Sequence, residues 1–305
     1  MEFLLEAFVS VLIMSVFGGI YFLKKKKHHF NLFLKGMAMG ISDLIPGISG
    51  GTIALLLGIY EKFIQSLKSI NYSTLIYLLK LDFKKLNDQL NFNFILPVFV
   101  GILISIFLFS SLISYLLINH KILLFSFFFG LIFFSSLKLI ASLNPNSLFD
   151  FSLIFSGLIL GLSLLFIGQL SLSDSIISVF FSGFIAISAM LLPGISGSYI
   201  LLILGKYQFM LDSISSLLWT NILVFAFGAV FGILSFSKII FWLLNKYYKS
   251  TILFLSGIML GALNKVWPWQ NNNDLILPIH NISDLTLPII IFIISGIISH
   301  YLNTK

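Results

Sequence analysis

Long apolar runs separated by short polar segments dominate this chain. After residue 90, each run is about as long as the roughly 20 residues that a transmembrane helix needs. These runs cover residues 94–118, 122–141, 151–170, 219–244, 251–266 and 285–302. One more apolar run, 3–23, precedes four consecutive lysines. The pattern predicts an all-α polytopic membrane protein with an extra N-terminal transmembrane helix and basic segment in residues 1–29.

Two further apolar regions carry a nearly repeated string. Residues 44–60 read LIPGISGGTIALLLGIY and residues 191–207 read LLPGISGSYILLILGKY, identical at 11 of 17 positions. Pro46 and Pro193 interrupt any helix there, because proline lacks the amide hydrogen and the following glycine is conformationally loose. We therefore predict two re-entrant helical hairpins, 30–67 and 176–211. Matched breaks at membrane depth are typical of transporter sites built from half-helices.

The lysines predict an orientation. The chain has 18 lysines and no arginine, and lysines flank the first hairpin on both sides. Cytoplasmic loops are enriched in such residues, so the first hairpin opens to the cytoplasm. Following the spans from there puts the N-terminus outside, the C-terminus in the cytoplasm and the second hairpin open to the outside. In this arrangement 15 lysines lie on or near the cytoplasmic side and three lie outside: Lys121, Lys206 and Lys265.

The repetition extends beyond the hairpins. Residues 101–117 resemble 228–244, and Gly130 and Lys138 match Gly257 and Lys265 at the same offset. We predict repeat 1 in residues 30–170 and repeat 2 in residues 171–305, each with one hairpin and three spans. Three is odd, so the second copy is inverted, a common architecture for alternating access. A purely structural duplication of apolar helices is the alternative.

Composition excludes several classes of function. The chain is 58% hydrophobic and 10% charged, against about 25% charged in soluble domains. Without cysteine there is no disulfide, thiolate metal site or cysteine nucleophile. No metal-binding histidine spacing or phosphate-binding lysine loop of an ATPase is present. The net charge of +7 belongs to loops and does not predict nucleic-acid binding.

The residues after each break predict an anion site. A half-helix that begins there exposes free amide hydrogens and a partial positive charge, and serine or threonine adds hydroxyl donors. Such a site needs no arginine. The alternative is that the glycines serve close helix packing alone. The candidate phosphate-binding residues are Gly47, Ser49, Gly50, Gly51, Thr52, Gly194, Ser196, Gly197 and Ser198.

Charged residues near the hairpins are candidates for coupling or gating. Asp43 lies in apolar sequence just before the first break, and intramembrane carboxylates are usually functional. Three roles are open for it: it caps the broken backbone, it takes up a proton or it binds Na⁺. The matching position in the second copy is Met190. Glu61 is either a gating residue or an ordinary interfacial charge. The candidate entrance cations, for which snorkelling is the alternative, are Lys35, Lys138, Lys206 and Lys265.

At these residues the chain resembles the bacterial and archaeal DUF368 family. The resemblance is carried by GMAMG at 36–40, Asp43, PGISGGT at 46–52, GIYE at 58–61, LPGISGS at 192–198 and LGKY at 204–207, with the segment 257–268. It implies translocation of polyprenyl phosphate, chiefly undecaprenyl phosphate, across the cytoplasmic membrane to recycle a lipid carrier. Ser42 and Ser198 depart modestly from the family pattern.

The resulting prediction is a lipid-phosphate flippase with no cofactor beyond a coupling H⁺ or Na⁺. Two other functions remain open. A membrane polyprenyl-pyrophosphate phosphatase also uses re-entrant hairpins, but such chemistry favours strong cationic phosphate stabilisation, and this chain has no arginine. A secondary transporter of a small anion is the second alternative. The sequence leaves the coupling ion, the prenyl length and the oligomeric state open.

Overall fold

The computed structural model describes residues 27–80, 82–164, 166–170, 172–271, 274–275 and 283–302. The predicted N-terminal transmembrane helix and all but the last three residues of the predicted 1–29 segment lie outside the described residues. Lys305, which was predicted to be cytoplasmic, also lies outside them.

Helices form most of the first half. Their ends follow local signals; for example, Ser147 and Asp150 form a reciprocal capping box at the start of the eighth helix. The helices are α1 Lys27–Asp43, α2 Gly50–Leu56, α3 Tyr60–Lys68, α4 Tyr72–Leu79, α5 Phe83–Leu90, α6 Phe92–Asn119, α7 Lys121–Ser142 and α8 Leu148–Ser163.

The second half repeats the same order of elements, except that it has no counterpart of α4 and α5 among the described residues. Its helices are α9 Ile176–Met190, α10 Gly197–Ile203, α11 Tyr207–Ser215, α12 Trp219–Lys246, α13 Tyr248–Ala262, a 3₁₀ turn at Leu263–Val266 and α14 Ser283–Leu302. Between the last two lie antiparallel strands of two residues each, β1 Gln270–Asn271 and β2 Asp274–Leu275.

The helices have the length and surface of a membrane protein. Among the described residues, α6, α7 and α12 are long and apolar enough to cross a bilayer, and three shorter apolar helices accompany them. Large apolar side chains such as Phe99, Ile118 and Phe227 are exposed on the outside of the bundle. An apolar exterior of this kind suits lipid as the surrounding solvent. The predicted all-helical membrane class is confirmed.

Several predicted helices differ in extent. The span predicted at 151–170 ends at Ser163, and the Leu170 amide instead donates to the Ile203 carbonyl at 2.7 Å. In the predicted hairpins 30–67 and 176–211, the part after each break divides into two helices, because Gly58 and Gly205 adopt φ +67°. L-residues with side chains rarely adopt that conformation, so it ends a regular helix. The polar segment 68–91, which lies between the first hairpin and the next span, contains α4 and α5.

Matching residues make matching helix contacts in the two halves. A β-carbon on Gly36 would overlap the Val98 carbonyl, and one on Gly183 would overlap the Phe225 carbonyl. These pairs differ by 147 and 127 positions, the two offsets of the sequence repetition. Helix α1 therefore packs on α6 as α9 packs on α12. The core contains all of α2, which is buried throughout, and most of α13.

Candidate functional site

The two Pro-Gly breaks meet inside the protein. We call residues 44–52 the first break and residues 190–198 the second break. The Gly194 amide donates to the Thr52 hydroxyl at 2.8 Å, and the Tyr60 hydroxyl donates to the Leu191 carbonyl at 2.8 Å. The Ser49 hydroxyl lies 3.3 Å from the Met190 carbonyl. Segments more than 130 positions apart in sequence thus form one polar cluster in an apolar core.

Local chemistry produces each break. Helices α1 and α9 end at Asp43 and Met190, three residues before Pro46 and Pro193. Gly47 and Gly194 then take φ +88° and +91°, a left-handed conformation that lets the chain reverse its path. Each following half-helix begins one turn later, after an extended serine at its N-cap.

At the first break the protein already uses the groups predicted to bind an anion. The Gly50 amide donates to Asp43 Oδ1 at 2.6 Å, and the Gly51 amide donates to the Ser49 hydroxyl at 3.1 Å. The Thr52 hydroxyl accepts from Gly194. The Asp43 carboxylate therefore serves as the negative charge at this half-helix, which agrees with its predicted role as a cap.

The second break is more open. Its N-cap residue Ser196 makes no side-chain bond to the backbone of α10, and its hydroxyl lies 2.8 Å from the Ser198 hydroxyl. Ser198 is exposed while Ser196 is buried. One hydroxyl of such a pair donates to the other, which leaves one hydroxyl hydrogen for a further acceptor. Tyr199, next along the chain, donates to the Leu164 carbonyl at 2.8 Å.

Lys265 lies beside the first break and over Tyr199 of α10. It belongs to the 3₁₀ turn after α13, and its β-carbon would lie 3.0 Å from a β-carbon added to Gly47. Its ammonium is 3.6 Å from the centroid of the Tyr199 ring. Only 9% of the residue is exposed. The sequence predicted an entrance cation here, whereas the structure buries this lysine.

The other predicted charged residues lie away from the breaks. The Lys35 ammonium donates to the Leu57 carbonyl at 2.7 Å, and the Lys138 ammonium donates to the His300 carbonyl at 2.6 Å. Lys206 is completely buried and pairs with Asp174 and two loop carbonyls. Glu61 is exposed and lies near the Tyr248 hydroxyl. Each of these four makes a local structural contact.

Sequence reasoning missed Tyr60 and Tyr199, and it did not indicate that Thr52 bridges the two halves. Tyr60 and Thr52 make contacts between the halves, whereas Tyr199 meets Lys265 within the second half. The repeated Gly-x-Tyr ending was noted as a family feature, yet nothing in it indicated that Tyr60 reaches the opposite break. Among the described residues, no group of three His, Asp or Glu side chains is arranged to hold a metal ion.

The fold and the site together define a class, a polytopic helical membrane protein whose broken helices meet at buried depth, as they do in secondary transporters. The chain belongs to the VCA0040-like family, described as undecaprenyl phosphate translocase-like, whose family model matches residues 39–283. This confirms the DUF368 resemblance.

Two relatives carry the name polyprenyl-phosphate transporter. The one from Vibrio cholerae is 40% identical over 246 residues, which cover 81% of this chain and 80% of that protein. The one from Staphylococcus aureus is 36% identical over 258 residues, which cover 79% of this chain and 87% of that protein. No solved structure matches the chain.

Proposed function

We propose that this protein translocates polyprenyl phosphate, undecaprenyl phosphate above all, across the bacterial cytoplasmic membrane and returns the lipid carrier to the inner leaflet. The observation that carries this proposal is the similarity, over about four fifths of the chain, to proteins named polyprenyl-phosphate transporter. A phosphate headgroup has to cross about 30 Å of hydrocarbon, whereas the prenyl tail remains soluble there. The protein therefore has to supply a polar path for the headgroup alone.

The proposed architecture is the inverted repeat of two hairpins, 30–67 and 176–211, each followed by three spans. The matched contacts of Gly36 with Val98 and of Gly183 with Phe225 support the duplication. The lysine distribution supports opposite orientations, with the N-terminus outside and the C-terminus in the cytoplasm. The contacts between the breaks then close the path near the middle of the membrane.

In this mechanism the hydrogen bonds between the breaks are the gate. When Thr52 and Gly194 separate, the Thr52 hydroxyl and the Gly194 amide become free to bind a phosphate. The Ser196–Ser198 pair supplies a further donor on the second break. Movement of one hairpin relative to the other would expose this site to one leaflet and then to the other, the alternating access expected of inverted repeats.

Asp43 is the proposed coupling residue. A carboxylate that caps a half-helix beside the gate changes its bond to Gly50 when it binds H⁺ or Na⁺. Asp43→Asn keeps an acceptor oxygen for Gly50 but removes the charge. We expect transport by this variant to lose its dependence on a proton or sodium gradient. Full transport with an unchanged gradient dependence would eliminate this role.

The function is tested with purified protein in liposomes that contain undecaprenyl phosphate. A membrane-impermeant phosphatase outside hydrolyses only lipid that reaches the outer leaflet, so the release of phosphate measures translocation. We expect near-complete hydrolysis with protein and about half without it. Equal hydrolysis in both would overturn the proposal. Phosphate release without added phosphatase would identify an enzyme, and uptake of inorganic phosphate would identify a soluble-anion transporter.

The orientation has its own test, because the chain has no cysteine and single cysteines can be introduced cleanly. His120 lies between α6 and α7, and Asn144 lies between α7 and α8. We expect an impermeant maleimide added to whole cells to label His120→Cys and to leave Asn144→Cys unlabelled. The reverse pattern would invert the proposed topology.

A further inference from the structure

Lys265 is a buried cation without a hydrogen-bond partner. Its Nζ atom is inaccessible to solvent and makes no hydrogen bond within the described part of the chain. Its contact is the face of the Tyr199 ring at 3.6 Å. A cation–π contact compensates only part of the cost of removing an ammonium from water. The buried ammonium therefore lowers the stability of the folded protein, so stability does not explain why a lysine is found here.

Lys265 differs in its hydrogen bonding from four other lysines of the chain. Lys35, Lys138, Lys206 and Lys249 each donate to a carbonyl or a carboxylate at between 2.5 and 3.3 Å. Lys138 occupies the position that corresponds to Lys265 in the other half, and it is bonded to the His300 carbonyl. Duplication of the helices thus does not explain why Lys265 is left unpaired. Buried ionisable residues of this kind mark substrate pathways in membrane proteins.

The surroundings of Lys265 are suited to an anion. Its backbone lies against Gly47 of the first break, where a larger residue would press on its β-carbon. Tyr199, below its ammonium, directly follows Ser198, whose hydroxyl is paired with that of Ser196. The first turn of α10 thus carries both the ring beneath the ammonium and a hydroxyl pair with a hydrogen to spare. The Asp43 carboxylate, directly before the first break, is held by the Gly50 amide.

We propose that Lys265 is the counterion of the substrate. Its ammonium moves away from the face of the Tyr199 ring and binds a phosphate monoester between the two breaks. This inference rests on the proposed function and names the group that recognises the headgroup. An ammonium supplies charge and up to three hydrogen bonds to phosphate oxygens. In a chain without arginine, it performs the role that a guanidinium fulfils in many phosphate sites.

An apolar cleft next to this lysine distinguishes a lipid phosphate from a free one. Trp267, two residues beyond Lys265, lines the cleft together with Phe129, Trp269, Pro288 and Phe292. The rings of Phe129 and Trp267 lie 5.4 Å apart in an edge-on arrangement. Such a surface fits the first isoprene units of a prenyl chain. We therefore expect farnesyl phosphate, a short prenyl phosphate, to bind much more tightly than inorganic phosphate.

The test measures binding of farnesyl phosphate and of inorganic phosphate to the purified full-length protein in detergent. The variants are Lys265→Met, Lys265→Gln and Lys265→Arg. The matched control is Lys121→Met, which removes an exposed lysine that also lies over an aromatic ring, that of Phe125. We expect Lys265→Met and Lys265→Gln to bind farnesyl phosphate roughly 30-fold more weakly or worse. Lys265→Arg should remain within a few-fold of the parent, and Lys121→Met should be unchanged.

Thermal unfolding separates a functional lysine from a structural one. Removing an unpaired buried charge leaves the midpoint of Lys265→Met without ligand equal to or above that of the parent, while the added stabilisation by farnesyl phosphate disappears. If Lys265→Met and Lys265→Gln bind normally, or if both fail to fold, the proposal is wrong. Either of these results would leave the proposed function intact, because that function fails only if the parent protein does not translocate the lipid. Equal binding of inorganic phosphate would assign the site to a soluble anion.

Discussion

At the scale of single residues, the contact between the breaks depends on a few polar atoms with no alternative partner. Thr52 is 1% exposed, and its hydroxyl accepts from the Gly194 amide. A buried amide that loses its acceptor has no water to replace it. Such bonds therefore contribute more to the folded state than similar bonds at the surface.

We predict that Thr52→Val, which preserves shape, lowers the free energy of unfolding by about 1–3 kcal/mol, because it leaves the Gly194 amide unpaired. The matched control is Thr251→Val, since the Thr251 hydroxyl donates to the carbonyl of Tyr247, the N-cap residue of its own helix. That change should cost less than about 0.5 kcal/mol. Thermal unfolding in detergent measures both. Equal effects of the two variants would contradict a special role for Thr52.

Asp43 provides a second prediction at this scale. Its carboxylate accepts from the Gly50 amide at 2.6 Å and caps α2. We predict that Asp43→Asn, which keeps an acceptor oxygen, loses less than about 1 kcal/mol, whereas Asp43→Leu loses about 1–2 kcal/mol. The same unfolding assay ranks the two variants. Equal losses for asparagine and leucine, which both remove the charge, would show that the charge, and not the cap, stabilises the break.

At the scale of elements, close helix pairs are held by glycines, and a short loop is held by one lysine. The β-carbon of any larger residue at Gly101 would overlap the Phe33 carbonyl on α1, whereas a β-carbon on Gly168 would meet nothing within 4 Å. Small residues let membrane helices approach closely, which increases their van der Waals contact. The same substitution therefore has opposite consequences at the two positions.

We predict that Gly101→Ala separates α1 from α6 and lowers the free energy of unfolding by about 1–3 kcal/mol through overpacking. Gly228→Ala, at the corresponding position between α9 and α12, should do the same, since its β-carbon would overlap the Phe180 carbonyl. Gly168→Ala is the control and should be neutral or slightly stabilising. The unfolding midpoints of the three variants test this prediction. An unchanged midpoint for Gly101→Ala would contradict the close packing of α1 on α6.

Lys206 joins the second hairpin arm to the loop before α9. Its buried ammonium donates to the Leu172 and Ser173 carbonyls at 3.0 and 2.7 Å and to the Asp174 carboxylate. We predict that Lys206→Met releases this loop and makes residues 166–175 at least about tenfold more sensitive to limited proteolysis, a loss of about 1.4 kcal/mol. Asp174→Asn should have a smaller effect, because that side chain is 64% exposed.

At the scale of the whole molecule, translocation requires the breaks to separate. The Ser49 hydroxyl lies 3.3 Å from the Met190 backbone carbonyl, so these two residues are close across the breaks. We predict that a disulfide formed in the double variant Ser49→Cys, Met190→Cys abolishes lipid translocation in liposomes and that a reductant restores it. Each single cysteine variant is the control. Undiminished transport by fully cross-linked protein would mean that the headgroup passes without opening this contact.

Much of the fold was predictable because its signals are local. Pro46 and Pro193 are each followed by a glycine, and such a Pro-Gly pair ends a helix, whereas apolar runs of membrane length form helices. The helix limits at α6, α7, α12 and α14 accordingly lie within about two residues of the predicted spans, a normal uncertainty for helix ends. The early end of α8 was not predictable, because the Leu170 amide exchanges a helical bond for one to Ile203, 33 positions away.

The candidate site was predictable only in its parts. The membrane class, the two breaks and the serines, threonine and glycines around them could be predicted, since these follow from backbone chemistry within a few residues. Three features became visible only in the folded protein: the breaks bond to each other, Asp43 caps its own half-helix and Lys265 is buried over Tyr199. Lys138 and Lys265 occupy corresponding positions in the repetition, yet one bonds to a backbone carbonyl and the other is left unpaired. The hydrogen-bond partner of a side chain depends on how distant segments pack together, and a local sequence pattern does not predict that packing.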